Sequence, residues 1–244
     1  MKKITLIILA ILPLLTLGQY PNGKEVLDRI DQNMTAEKTV TKASMVVHGR
    51  RSDRTMEMIT YTEGERSYSE YLAPAREKGT KMLKLEDKLY IYSPSTDRTI
   101  QISGHMLRQS MMGSDLSYED MMEENKLEDS YDAVVIAEEE FEGRPCYVVE
   151  LIATIKDVNY YKRKVWVDNE RYIPLKEELY AKSGKMLKTT ILSDIRQVDG
   201  RWYPYKIAFK DMLKSGDGTE FIVEEISFNK EIPEHLFTKA ALRK

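Results

Sequence analysis

Apolar and polar residues alternate along most of this chain. Tyr147, Val149, Leu151, Ala153 and Ile155 fall on one side of an extended segment, and Tyr203, Tyr205, Ile207 and Phe209 on one side of another. Ile222, Ile226 and Phe228 align in a third, with Glu224 the odd member. Charged residues such as Lys162 and Lys164, or Asp194 and Arg196, take the opposite side. A period of two predicts half-buried β-strands. Turn signals recur between these segments: Glu63-Gly64, Glu86-Asp87, Glu142-Gly143, Asp168-Asn169, Ser183-Gly184, Asp199-Gly200 and Asp217-Gly218. Such pairs supply the positive φ angles that tight hairpins need. Strands at this spacing form antiparallel meanders, sandwiches or barrels, and the pattern predicts about eleven of them.

Only two segments have helical spacing. Residues 24–34 place Val26, Leu27, Ile30 and Met34 on one face, with Asn22 as cap. Residues 117–125 form the second, with Ser117 as cap, Glu119 and Asp120 near the positive helix start, and Leu116, Met121 and Met122 as its apolar side. Two short helices cannot cover one face of so large a sheet, so the sheet must curl on itself. The expected fold is mainly β: an open, incomplete antiparallel barrel with short helices in its mouth. There is no internal repeat and no Pro/Ser linker, so a single domain is expected over residues 19–244.

The most informative stretch runs from Lys78 to Met122. Short alternating strands give way to a methionine-rich segment in which five of the thirteen methionines lie between Met106 and Met122. Methionine is flexible and polarizable and adapts to apolar partners of variable shape. Composition alone gives equal weight to a core plug and to an adaptable lid. Gly104 and Gly113 bracket the stretch and give its backbone freedom to hinge, which favours the lid. Fifteen tyrosines against five phenylalanines add side chains with an apolar body and a polar tip, suited to the rim of a greasy cavity.

The start of the chain bears on compartment. Lys2 and Lys3 precede an apolar run from Ile4 to Leu17, and small residues stand at Thr16 and Gly18. This pattern predicts a secretory signal cleaved after Gly18. The run is shorter than the roughly 20 residues of a membrane span. Without residues 1–18 the chain has 35 basic against 40 acidic residues, a net charge of −5. That argues against a nucleic-acid partner, which needs a basic face. Cys146 is the only cysteine, so no internal disulfide can form, and its strand context predicts a small buried apolar residue.

Catalytic signatures are missing. His48, His105 and His235 are far apart, with no metal-binding spacing. No nucleophile elbow, phosphate loop or dinucleotide fingerprint occurs. The acidic runs Glu138–Glu140 and Glu123-Glu124 lack the ligand spacing of a calcium loop. The expectation is a protein without catalysis, cofactor or metal.

Four stretches, Lys78–Leu83, Leu89–Pro94, Arg98–Gly104 and Met111–Met121, closely resemble the outer-membrane lipoprotein-sorting protein family, the LolA-like group. The element G-S-D-L-S-Y-E-D is the most specific part. Later stretches, E-G-R-P-C-Y, K-V-W-V-D, Y-I-P-L-K and G-R-W-Y-P, resemble the same family, so the likeness covers roughly residues 24–235. The resemblance implies an open barrel whose helices form a lid over an apolar concave face. It also implies a periplasmic carrier that shields acyl chains of lipoproteins or lipids in transit to the outer membrane. Donor and acceptor would be an inner-membrane transporter and an outer-membrane acceptor, and the carrier is expected to be a monomer. An alternative role is that of a periplasmic accessory subunit of a lipid-exporting transporter. The expected lid lining is Met106, Leu107, Met111, Met112, Leu116, Tyr118, Met121 and Met122, with Asp115, Glu119 and Asp120 exposed toward a basic partner. The resemblance further implies a strand arginine that latches the lid, for which Arg50, Arg51, Arg54 and Arg66 are candidates.

Overall fold

A computed structural model describes residues 20–123, 127–156 and 158–243. The expected signal segment and its cleavage point lie outside the described residues. Helix α1 spans Gly23–Met34, capped by the Asn22 side chain, which accepts from the Lys24 amide at 2.8 Å. A run of hairpins follows: β1 (Lys38–Val47), β2 (Arg54–Glu63), β3 (Arg66–Ala73), β4 (Lys81–Leu85), β5 (Lys88–Ser93) and β6 (Arg98–Ile102). After the methionine-rich segment and the short helix α2 (Tyr118–Met122) come β7 (Tyr131–Phe141), β8 (Arg144–Ala153), β9 (Lys162–Asp168) and β10 (Pro174–Tyr180). The series ends with β11 (Met186–Val198), β12 (Arg201–Asp211) and β13 (Thr219–Phe228).

All thirteen strands form one antiparallel sheet in the order β6-β5-β4-β3-β2-β1-β13-β12-β11-β10-β9-β8-β7. The expected open barrel is present, with thirteen strands in place of about eleven. All seven turn signals sit at strand connections. The β3–β4 and β5–β6 connections instead begin at Pro74 and Pro94. β6 and β7 are consecutive in the chain yet stand at opposite edges of the sheet. Everything between them must therefore cross from one edge to the other, and this is why the methionine-rich segment spans the concave side.

Two details of the alternation differ from the sequence pattern. β8 ends at Ala153, leaving Ile155 in a loop and 48% exposed. In β13 the pairing with β1 shifts between Lys42 and Ala43, so Glu224 is an extra, bulged residue. A bulge reverses which parity faces inward. Val223 and Phe228 are consequently buried, whereas Ile222 is exposed.

The concave face holds two apolar groups. Over β7–β9, α1 buries Val26 and Leu27 against Tyr131, Val135, Val149, Leu151, Val165 and Val167. This approach is close: a Cβ on Gly23 would lie 2.1 Å from the Ala133 carbonyl oxygen. Over β1–β6, Met45, Met56, Met58, Tyr71, Met82 and Ile91 face the methionine-rich segment. On the outer face, Tyr68, Leu83 and Tyr90 are covered by C-terminal 3-10 turns carrying Phe237, Ala241 and Leu242. Cys146 is fully buried, and burial pushes its thiol up to about 11.

Candidate functional site: a methionine-rich lid and the cavities beside it

Residues 103–123 build the lid from short turns: 3-10 segments at Gly104–Arg108 and Met111–Gly113, then α2. The Met111 amide donates to the Leu116 carbonyl at 2.8 Å and the Tyr118 amide to the Gln109 carbonyl at 3.1 Å, closing residues 109–118 into a loop. Met112 and Gly113 both have positive φ, 50° and 76°. The positive φ favours glycine at Gly113, where a Cβ would also stand 2.9 Å from the movable end of the Arg54 side chain. Ser117 and Asp120 form a reciprocal capping box that starts α2. The helix ends at Met122, short of the expected Asn125, which lies outside the described residues.

All eight expected lining residues are brought together on the concave cluster of β1–β6. Met111 is a buried member of it, and Met106, Leu107, Met112, Leu116, Tyr118, Met121 and Met122 pack partly buried against it. Five of the eight line the space beside them: Met111, Leu116 and Met121 on one side, Leu107 and Met122 on the other.

That space consists of two cavities. One, of about 270 Å³, lies under the lid between Met58, Tyr71, Met82, Met111, Met121 and Phe221. The other, of about 620 Å³, opens between Leu107 and Met122 on the lid and Leu127, Tyr131, Ile155 and Val158 opposite. Glu65, Lys84 and Glu123 line both, so the cavities meet at these three side chains. The larger volume falls within the range of small-molecule sites, about 300–1,000 Å³.

Polar tethers fix the lid to the barrel. Of the four candidate arginines, Arg54 at the start of β2 donates to the Met112 carbonyl. Arg66 lines the smaller cavity but pairs with Glu63 and Glu234, and Arg50 donates to Ser215, so neither of these bonds is made to the lid. Lys214 donates to Ser110 at 2.6 Å and to the Ser114 carbonyl at 2.7 Å.

The expectation that Asp115, Glu119 and Asp120 are exposed is overturned. Asp115 is buried, accepting from the Asp211 amide at 2.9 Å and the Thr219 hydroxyl at 3.0 Å, while its own amide donates to Thr219 at 2.9 Å. Asp120 binds the Lys188 ammonium and the Tyr160 hydroxyl, with only 10% of its side chain exposed. Burial works against its ionisation, but the Lys188 charge and the hydrogen bonds from Lys188, Tyr160 and Ser117 together hold its carboxyl below the usual range. Glu119 is half-buried, and its carbonyl accepts from Asn159 at 3.0 Å. Sequence reasoning missed these tethers because their partners lie far along the chain. The Ser117-x-x-Asp120 spacing alone gave a signal, and it announced a helix start.

Beyond α2, Arg163 on β9 is buried among acidic and aromatic side chains, pairing with Glu123 and with Glu177 at 3.0 Å. No cluster of His, Cys, Asp and Glu that could hold a metal occurs among the described residues. No described helix is long and apolar enough to cross a membrane.

A family model described as "-like: Uncharacterized protein" matches residues 63–244. No curated protein matches the sequence. Among solved structures, a domain described as outer membrane lipoprotein-sorting from Vibrio parahaemolyticus is similar at 26% identity and a TM-score of 0.78, covering 91% of this chain and 98% of that one. A DUF1329 family protein from Desulfovibrio piger is similar at 25% identity and a TM-score of 0.82, covering 90% and 97%. A LolA superfamily protein from Nitrosomonas europaea shares the fold at 22% identity and a TM-score of 0.75, covering 91% and 100%. The chain belongs to the family whose model spans residues 63–244, and with its open thirteen-stranded sheet and short helices it is LolA-like in fold.

Proposed function

We propose that this protein is an exported, periplasmic carrier that takes up acyl chains of lipoproteins or lipids and shuttles them toward the outer membrane without catalysis. The observation that carries this reading is the methionine-rich lid lying over an apolar concave face with space left beside it. Burying an acyl chain yields about 0.8 kcal/mol per methylene. A chain of about 15 carbons therefore offers on the order of 10 kcal/mol before ordering costs, enough to hold cargo with few polar contacts. Release follows from the same geometry. The lid side chains cover the surface that a bound chain would cover, so lid closure competes with cargo. The signal segment ending at Gly18, a monomeric state, and exchange with an inner-membrane donor and an outer-membrane acceptor belong to this reading.

The test is gentle purification from the periplasm followed by mass spectrometry under native conditions, with titration of a fluorescent acyl probe. A co-purifying lipid displaced by the probe supports the carrier. Lipid-free protein that binds no acyl probe overturns it.

A further inference from the structure

Arg163 stands with 4% of its surface exposed, flanked by the rings of Tyr131 and Tyr160 at 5.0 and 5.5 Å. Its guanidinium is incompletely used. Nη1 donates to Glu177 and Nη2 to Glu123, while Nε is buried without a hydrogen-bond partner among the described residues. Nε and Nη2 form one edge of the planar guanidinium, the edge that binds both oxygens of an anion at once. Glu123 therefore occupies half of a two-toothed anion site and leaves the other half empty.

The two carboxylates differ in attachment. Glu177 is held in β10, opposite Val165 in the ladder with β9. Glu123 directly follows α2 on the lid, lines both cavities, and is the more exposed of the two, at 27% against 18%. Arg163 itself lines neither cavity, and a lid that shifts takes Glu123 with it and uncovers the open edge of Arg163 beside the cavity junction that Glu123 lines. Resting on the carrier reading, the geometry points to Arg163 as a headgroup anchor. The cargo is an acyl lipid with an anionic oxygen headgroup, carboxylate or phosphate, which replaces Glu123 and takes both Nε and Nη2. Its tail then runs past Lys84 into the cavity lined by Met58, Met82 and Met111. Glu123 acts as an internal stand-in for the head and keeps the buried cation paired when no cargo is present.

Fluorescence titration with a labelled fatty acid, and with the same chain ending in an alcohol, tests this. The wild-type protein is expected to bind the acid more tightly than the alcohol. Glu123→Gln removes the competing carboxylate and loosens the lid, so it is expected to tighten acid binding by about tenfold more than alcohol binding. Arg163→Gln combined with Glu177→Gln removes the cation together with its more buried partner, leaves only the more exposed Glu123 to water, and is expected to erase the preference. A lysophospholipid arm separates phosphate from carboxylate heads, and preference for either supports the anchor. Equal changes for acid and alcohol in Glu123→Gln would mean simple lid loosening and overturn the inference, as would an acid preference that survives the double change. If neither probe binds the wild-type protein, the carrier reading falls and the anchor with it.

Discussion

Asp115→Ala isolates one end of the lid. The carboxylate accepts two hydrogen bonds in a buried setting, from the Asp211 amide at the end of β12 and from the Thr219 hydroxyl at the start of β13. A hydrogen bond to a charged group contributes about 1.5–3 kcal/mol when its partner would otherwise be stranded. Water reaching the vacated site returns part of this, so about 3 kcal/mol is a fair net loss for the pair. That is roughly a 150-fold shift of the lid equilibrium toward the open form. Helix α2 has its own tether through Asp120 to Lys188, so the loss should stay local. Hydrogen exchange read by mass spectrometry is expected to show lost protection at residues 106–116 with residues 118–122 unchanged. Acyl-probe affinity should rise because less closed lid competes. Uniform loss of protection across β12 and β13 would refute the reasoning, since Asp115 would then be holding the sheet and not the lid. Unchanged probe affinity with an opened lid would refute the competition between lid and cargo.

The α2 tether gives a pH dependence whose direction is fixed. The Asp120 carboxyl is depressed in the folded protein, so its contribution is present above the unfolded carboxylate range and is lost as pH falls through the folded value. Exchange protection of residues 118–122 is expected to be flat from pH 8 to about 5 and to fall only below about 4. Gly23→Ala forces a Cβ against the Ala133 carbonyl and should lower stability by about 1–3 kcal/mol in denaturant titration. Cys146, buried and with its thiol pushed up to about 11, is expected to resist a thiol reagent at pH 8 in the native protein and to react fully once unfolded.

The barrel was legible because its signals are local. Alternation in residues such as Tyr147, Val149 and Leu151, and Gly or Asn at hairpin tips, are consequences of backbone geometry within a few residues. The count of about eleven fell short of thirteen because short strands, such as the five-residue β4 and β6, carry little alternation to read. The bulge at Glu224 was visible only as a charged residue out of step, since pairing with β1 creates it. Gathering of the eight lid residues followed from their apolar character and clustering. What could not be read was polar pairing at a distance. Asp115 finds Thr219, Asp120 finds Lys188, and Glu123 finds Arg163 only after the sheet has formed. An acidic residue in an exposed loop and one in a buried tether look alike in sequence.

The seam between β1 and β13 sets a rule for assembly. Thr39 pairs with Phe228, so the strand that joins the two halves of the sheet follows the other twelve described strands in the chain. Neither half can be zipped to the other before β13 has emerged, and distant pairings of this kind make for slow folding with unsatisfied edges on view. An internal deletion of β13 alone would therefore leave two orphaned ribbons, one ending at β1 and the other at β12, each an invitation to aggregate.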